Sequence, residues 1–185
     1  RPGVGLLAGA PGGGKTWLTL SLAVSVARGG RWLGHFACEQ GAALLVMEEE
    51  NDGAVVERMD LLLSGLGMNQ EDGESLPIHY LIQQGVSLVT SDGNLDPELL
   101  RHVDEVKPAL LVLDPFRRLH GLEENNSASM SHLFGLLRRL AAEQDCSILV
   151  VHHLRKRGEL DEGVDRVRGS SDIAASVDTI LEIGG

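Results

Sequence analysis

Residues 9–16 read Gly-Ala-Pro-Gly-Gly-Gly-Lys-Thr, which is a complete GxxxxGK[ST] phosphate-binding loop. An apolar segment containing Val4, Leu6 and Leu7 precedes the loop, and a helical pattern begins at Lys15. This order constrains the chain to a strand, a glycine-rich turn and a helix, with backbone N–H groups wrapped around phosphates. A glycine-rich turn with a chance lysine is the alternative, but it would not explain the strand before it and the helix after it.

The chemistry of this loop predicts a bound nucleoside triphosphate with Mg²⁺. Lys15 brings a positive charge to the β- and γ-phosphates, and the Thr16 hydroxyl is a ligand for Mg²⁺. The first turn of the following helix adds its partial positive charge. The residues expected to bind the nucleotide are Gly9, Ala10, Pro11, Gly12, Gly13, Gly14, Lys15, Thr16 and Trp17.

Short apolar runs alternate with helical patterns along the rest of the chain, which predicts an α/β fold with a mostly parallel central sheet flanked by helices. Continuous runs of Val, Leu and Ile are typical of strands buried on both faces. The predicted strands are 4–8, 43–47, 78–82, 109–113, 147–151 and 178–183. The predicted helices are 15–28, 53–65, 97–106 and 130–144, and two long polar loops are expected at 120–129 and 155–170.

The composition narrows the classes of function. The net charge of −11 argues against a generally basic surface that coats nucleic acid, although a narrow basic channel remains compatible with it. No apolar run reaches membrane-spanning length and no secretory signal is present, so we expect no membrane contacts. Cys38 and Cys146 are too few for a metal framework, and the free thiols expected there are typical of a reducing cytoplasm. Because the chain begins at Arg1 and the phosphate loop follows at once, we expect residues 1–185 to be one ATPase core of a longer polypeptide.

Carboxylates follow two of the predicted strands. The run 110–114 is apolar and ends in Asp114, the pattern of an aspartate that holds the Mg²⁺ water shell in phosphate-loop enzymes. Alone, such an aspartate is as often a turn or helix cap, but its pairing with the phosphate loop favours the metal role. Glu48, Glu49 and Glu50 follow the strand at 43–47, where a base that orients water is needed; at least one of the three is expected only to cap the next helix.

Two histidines directly follow the strand predicted at 147–151. His152 or His153 at this position is suited to contact the γ-phosphate and to report its presence to the next loop. The alternative is that the histidines cap strand carbonyls. A metal site is disfavoured, because there is no HExxH pattern and no third ligand nearby in the sequence.

The order of these motifs resembles the RecA-like ATPase superfamily, and above all the branch that contains the plasmid hexameric helicase RepA and its phage and plasmid relatives. The motifs are the phosphate loop, a glutamate after the second long strand, Leu-Asp-Pro, His-His-x-x-Lys and Arg-Gly-Ser-Ser. The matching stretches cover nearly the whole chain: 9–16, 46–58, 111–125, 149–156 and 168–183.

The resemblance implies a RecA-like fold, hydrolysis of ATP with Mg²⁺, and assembly into a ring, which we expect to be a hexamer. The spacing to Arg58 selects Glu49 as the catalytic glutamate, with Glu50 and Glu48 as alternatives. Lys15, Thr16 and Asp114 carry over directly, and of the two histidines His153 is the expected γ-phosphate contact.

The same resemblance assigns the segment from Arg155 to Arg168 to the central channel of a ring, where single-stranded DNA would pass. The residues expected to contact its phosphates are Arg155, Lys156, Arg157 and Arg168. The loop also carries four acidic residues and no aromatic residue to stack on a base, so a solvated mixed-charge hairpin is its alternative. The sequence departs from the RepA pattern at Asp178, where an arginine finger is expected.

Three functions compete on this evidence. The leading one is a ring-forming ATPase that moves on or remodels single-stranded DNA during replication. The second is a regulatory or assembly ATPase resembling KaiC, whose nucleotide state signals to a partner protein. A small-molecule kinase is the third, but it would need a lid with paired arginines and an acceptor pocket, which the His-His and Arg-Gly-Ser-Ser segments fit badly.

Overall fold

A single six-stranded sheet organises the chain in its computed structural model, which describes residues 2–153 and 171–184. The strand order is β5-β4-β6-β7-β1-β8, and every neighbouring pair is parallel. Its strands are β1 (Gly3–Gly9), β4 (Ala43–Met47), β5 (Ile78–Ile82), β6 (Leu110–Asp114), β7 (Ser147–His153) and β8 (Thr179–Ile183). A small antiparallel hairpin of β2 (Arg31–Trp32) and β3 (Phe36–Ala37) stands apart from this sheet.

Helices cover both faces of the large sheet, so the central strands are buried on both sides. Every residue of β4 and β6 is buried, as the continuous apolar runs predict. The helices are α1 (Lys15–Arg28), α2 (Asp52–Gly65), α3 (Gln70–Glu74), α4 (Pro97–Val106), α5 (Ser127–Glu143) and α6 (Ser171–Ala175). The expected α/β fold, a mostly parallel sheet flanked by helices, is confirmed.

The two faces have separate apolar cores. Helices α1 and α2 pack on one face through residues such as Leu20, Val24 and Val55. On the other face lie α4 and α5, where Leu133, Phe134, Leu137, Leu140 and Ala141 are all buried at helical spacing.

The parallel register brings the carboxyl ends of four adjacent strands to one edge of the sheet. Met47 at the end of β4 pairs with Asp114 at the end of β6, and Gly9 at the end of β1 pairs with His153 at the end of β7. Ligands of open α/β sheets bind outside this edge. The phosphate loop, the three glutamates, Asp114 and the two histidines all follow or end these strands.

The structure differs from the sequence predictions mainly at short elements and element ends. Helix α5 begins at Ser127 and not at residue 130, because the Asn126 side chain accepts a hydrogen bond from Ser129 N at 3.1 Å and caps the helix earlier. The predicted loop 120–129 is therefore shorter. Strand β7 continues through His152 and His153. The β2–β3 hairpin and the five-residue helices α3 and α6 were not predicted, since they are too short to show a period.

No helix among residues 2–153 and 171–184 is long and apolar enough to cross a membrane. The predicted loop 155–170 lies outside the described residues. The proposed DNA contacts at Arg155, Lys156, Arg157 and Arg168 therefore remain predictions.

Candidate functional site: the phosphate loop and the carboxyl edge of the sheet

The phosphate loop joins β1 to α1 through two glycines with left-handed backbones. Gly12 has φ of +74° and Gly14 has φ of +88°, conformations that side chains with a Cβ rarely adopt. Ala10 O accepts a hydrogen bond from Gly13 N at 3.0 Å, which closes the turn. Gly14 is also the N-cap of α1, so the loop ends at the positive end of that helix.

Lys15 is folded back onto the loop and is almost fully buried. Its Nζ donates hydrogen bonds to Gly9 O at 3.0 Å and Ala10 O at 2.9 Å, and it lies 3.2 Å from His153 Nδ1. Burial lowers the pKa of Lys15, while the charges of Asp114 and Glu49 oppose that shift. In this structure the Lys15 ammonium group is therefore bound by uncharged acceptors. It lies where the phosphate oxygens of a nucleotide would bind.

His153 connects Lys15 to Glu49. A lysine ammonium can only donate, so His153 Nδ1 has to accept and its hydrogen must sit on Nε2. Nε2 lies 3.4 Å from Glu49 Oε2, a long contact in which the ring donates to the carboxylate. This arrangement assigns the tautomer of His153 and forms a chain from Lys15 through the imidazole to Glu49.

The three adjacent glutamates have three different surroundings. Glu48 Oε1 accepts a hydrogen bond from Val86 N at 3.0 Å, so this carboxylate fixes a neighbouring loop. Glu50 Oε2 lies 2.7 Å from Arg58 Nη1 and forms an ion pair with it. The angles at this contact are unsuitable for a hydrogen bond. Of the three glutamates, only Glu49 contacts His153, and about half of the Glu49 side chain is exposed to solvent.

Asp114 ends β6 beside the phosphate loop and is buried. Burial raises the pKa of Asp114 to about 7, with Glu49 and Glu50 adding to the shift and Lys15 and Arg58 opposing it. Its Oδ2 has no hydrogen-bond partner among the described residues. A cation would satisfy this oxygen and favour the charged carboxylate.

Mg²⁺ suits these residues. It takes oxygen ligands and is usually held by one or two carboxylates together with water and substrate phosphates. Asp114 and Thr16 line the same cavity and supply a carboxylate and a hydroxyl. Within 2–153 and 171–184 no group of three or more His, Cys, Asp or Glu is arranged to hold a metal ion.

One cavity of about 200 Å³ contains most of these groups, whereas Glu48 does not line it. Trp17 stands at its rim with 40% of its surface exposed. The lining residues are Pro11, Gly12, Gly14, Lys15, Thr16, Trp17, Glu49, Glu50, Arg58, Asp114 and His153. The fold therefore brings together residues from all the motifs that the sequence places in the described part of the chain.

His152 and Arg58 have contacts that differ from the leading sequence predictions for them. His152 points to the opposite face of β7, away from the cavity, and its Nδ1 lies 2.9 Å from His153 O, so the carbonyl-capping alternative describes this histidine. In the sequence analysis Arg58 was used only for its spacing to the catalytic glutamate, but in the structure its side chain lines the nucleotide cavity. The sequence pattern that could have placed Arg58 at the cavity is its position next to the buried residues Val55 and Met59, on the helix that follows the glutamates.

Asp178 has a structural contact at the opposite end of the sheet. Its Oδ2 accepts a hydrogen bond from Val4 N at 2.8 Å, and its own N–H donates to Val4 O at 2.8 Å. Val4 lies five residues before Gly9, about 16 Å along the strand at the usual rise. Asp178 stands where the RepA pattern has an arginine finger. It stabilises the start of β1 and does not contact the nucleotide cavity of its own chain.

We expect Asp178→Ala to lower the free energy of unfolding by about 1–3 kcal/mol, because the buried N–H of Val4 would lose its acceptor. Asp178→Asn is the matched control, since its amide oxygen can accept the same bond. Urea unfolding of both variants measures the difference. Equal stability of the Ala and Asn variants would contradict this role.

Comparison with known proteins places this site in a family. Residues 1–159 match the AAA domain family. The chain is also 25% identical, over 191 aligned residues, to the DNA repair protein RadA of Synechocystis sp.; the alignment covers 97% of this chain and 33% of RadA. The chain thus spans about a third of the length of this curated relative. With a parallel sheet, a phosphate loop and a nucleotide cavity at its carboxyl edge, the chain belongs to the AAA domain family as a RecA-like P-loop ATPase domain.

Proposed function

We propose that this domain hydrolyses ATP with Mg²⁺ as the motor of a ring-forming replicative helicase of the RepA type, or of a related ATPase that acts on single-stranded DNA. The observation that carries the proposal is the convergence of Lys15, Glu49, Asp114 and His153 on one cavity beside the phosphate loop. Similarity to a protein named for DNA repair supports a DNA-related role.

Each of these residues has a defined task in the proposed reaction. Mg²⁺, when bound, would neutralise negative charge that develops on the phosphates in the transition state. Asp114 and Thr16 would hold the cation, and the phosphate loop with Lys15 would hold the phosphates. Lys15 would then exchange its contacts with Gly9 O, Ala10 O and His153 for phosphate oxygens.

Glu49 is the proposed water-orienting base. Its carboxylate accepts a hydrogen bond and then a proton from the attacking water, whose oxygen bonds to the γ-phosphorus. The bond to the bridging oxygen breaks and ADP leaves with that electron pair, and Glu49 then releases the proton to solvent. Glu48 and Glu50 are less suited, since one is bound to Val86 N and the other is paired with Arg58. His153 lies between Lys15 and Glu49. Because both of these residues are proposed to act at the γ-phosphate, its gain or loss would change the contacts of His153.

The charges in the cavity argue for a neighbouring subunit. Among residues 2–153 and 171–184, Arg58 is the arginine that lines the cavity, and the Glu50 carboxylate at 2.7 Å already neutralises it. An arginine that stabilises the transition state accelerates such reactions by about 10³–10⁵-fold where it has been measured in related chemistry. We therefore propose that a neighbour in a ring, a hexamer, supplies this arginine.

The test is ATP turnover by the full-length protein over a range of protein concentrations, with and without single-stranded DNA. We expect turnover per subunit to rise with concentration as neighbours assemble, and to rise further with DNA. The affinity for DNA should fall as salt increases, because the proposed contacts are to phosphates.

Charge reversal at Arg155 and Lys156 should abolish stimulation by DNA and leave basal hydrolysis intact. The matched control is charge reversal at Arg138 and Arg139, two exposed arginines of α5, which changes the net charge equally. Turnover that is independent of concentration and unaffected by DNA would contradict the helicase proposal and favour the KaiC-like regulatory ATPase.

A further inference from the structure

The side chain of His152 forms a buried contact on the face of β7 opposite to the nucleotide cavity. Its Nε2 lies 3.0 Å from Glu124 Oε1, and its Nδ1 lies 2.9 Å from the carbonyl oxygen of His153. His152 is 2% exposed and the Glu124 side chain is 10% exposed. Glu124 belongs to the segment between the 3₁₀ turn Phe116–Arg118 and helix α5.

The chemistry of its two partners sets the direction of each hydrogen bond of His152. A carbonyl oxygen only accepts, so Nδ1 of His152 must carry a hydrogen. Burial raises the pKa of Glu124, but the hydrogen bond from His152, aided by the charge of Arg117, lowers it below its ordinary value. An ionised Glu124 only accepts, so it receives a hydrogen bond from Nε2 of His152.

The other groups that face Glu124 do not replace His152. His120 Nε2 is 3.8 Å from Glu124 Oε1, and burial lowers the pKa of His120 to about 4, so this ring is neutral near pH 7. Arg117 Nε is 4.0 Å from Glu124 Oε2 and more than half exposed. The close, buried partner of the carboxylate is therefore His152.

We propose that Glu124 is a positioning residue for the nucleotide site, acting through His152 on His153. Glu124 binds the His152 ring, and the ring in turn contacts the His153 carbonyl oxygen. This contact fixes the backbone of His153, and therefore the position from which its imidazole contacts Lys15 and Glu49. The proposal rests on the proposed ATPase function. It also means that the segment carrying Glu124 is connected to the reacting groups through one hydrogen-bonded path across β7.

The first test compares Glu124→Leu with Glu124→Gln in the full-length protein. The leucine removes the acceptor at similar volume, whereas the glutamine amide oxygen still accepts from Nε2. We expect Glu124→Leu to reduce kcat by about 10–100-fold, the scale of a small misplacement of reacting groups, with ATP affinity nearly unchanged. Glu124→Gln should retain most of the parent's kcat, and the control Glu123→Leu, at an exposed neighbour, should retain all of it.

A double-mutant cycle separates positioning from a general loss of stability. If Glu124 acts through His153, then Glu124→Leu should have little further effect on kcat in a His153→Ala background. Independent effects in the two backgrounds, or equal loss in the Leu and Gln variants, would overturn the proposal. Thermal melts of each variant verify that it is folded at the assay temperature.

A second readout does not require turnover. Long-range ¹H–¹⁵N spectra report which ring nitrogen of His153 carries the hydrogen. We expect the Nε2–H tautomer in the parent protein and in Glu124→Gln, and a loss of that preference in Glu124→Leu. If the parent shows no turnover at any concentration, the ATPase proposal fails, and the spectra still decide whether Glu124 positions His153: an unchanged tautomer in Glu124→Leu would overturn it.

Discussion

Glu49→Gln is expected to reduce ATP turnover by about 10²–10⁴-fold while ATP still binds, because the substitution keeps the shape of the side chain and removes the charge that orients water. The Glu49 carboxylate lies at the edge of the nucleotide cavity, 3.4 Å from His153 Nε2, and is half exposed, so an uncharged replacement should not disturb the fold. Turnover by the full-length protein and titration with ATP measure the two effects separately.

The neighbouring glutamates provide matched controls of identical chemistry. Glu48→Gln still offers an oxygen to Val86 N, so turnover close to the parent's is expected. Glu50→Gln removes the partner of Arg58 and should alter turnover less than Glu49→Gln does. If Glu50→Gln abolished turnover and Glu49→Gln did not, the base would be Glu50. Normal turnover in all three variants would exclude a glutamate after β4 as the base.

Local signals in the sequence were sufficient for the elements that position the site. The phosphate loop requires a strand before it and a helix after it, and both occur where the pattern predicts them, at β1 and α1. Strands buried on both faces leave continuous apolar runs, so the six long strands were predicted to within two residues at each end. Parallel strands then bring their carboxyl ends together, which is why Asp114 and His153 lie near Lys15.

The partners of individual side chains were not predictable in the same way, since they depend on residues far apart in the chain. Glu48 and Glu50 differ because one meets Val86 and the other Arg58, contacts that follow from how the loop leaves β4. The pairing of His152 with Glu124 depends on the turn after β6, which has no periodic pattern. A sequence reading can therefore name three candidate glutamates, but tertiary structure is needed to distinguish their surroundings.

Lys15→Ala should abolish hydrolysis and almost all stabilisation of the fold by ATP with Mg²⁺. Lys15 carries the cation that the phosphate loop directs at the phosphates, and its nitrogen is held in the cavity by two backbone carbonyls. In the parent, ATP at about 100 times its Kd should stabilise the folded state by about 2.7 kcal/mol, which corresponds to a rise in Tm of about 5–11 °C for a domain of this size.

Thermal melts with and without ATP and Mg²⁺ measure this effect. Arg28→Ala is the control, because it removes one positive charge from the exposed far end of the same helix and should leave the shift caused by ATP unchanged. Without nucleotide, Lys15→Ala should remain folded, since the apolar core between α1 and the sheet does not include the lysine ammonium. The assignment of the nucleotide site depends on the contrast between the two variants: an equal rise in Tm for the parent and for Lys15→Ala would mean that the nucleotide binds elsewhere on the molecule.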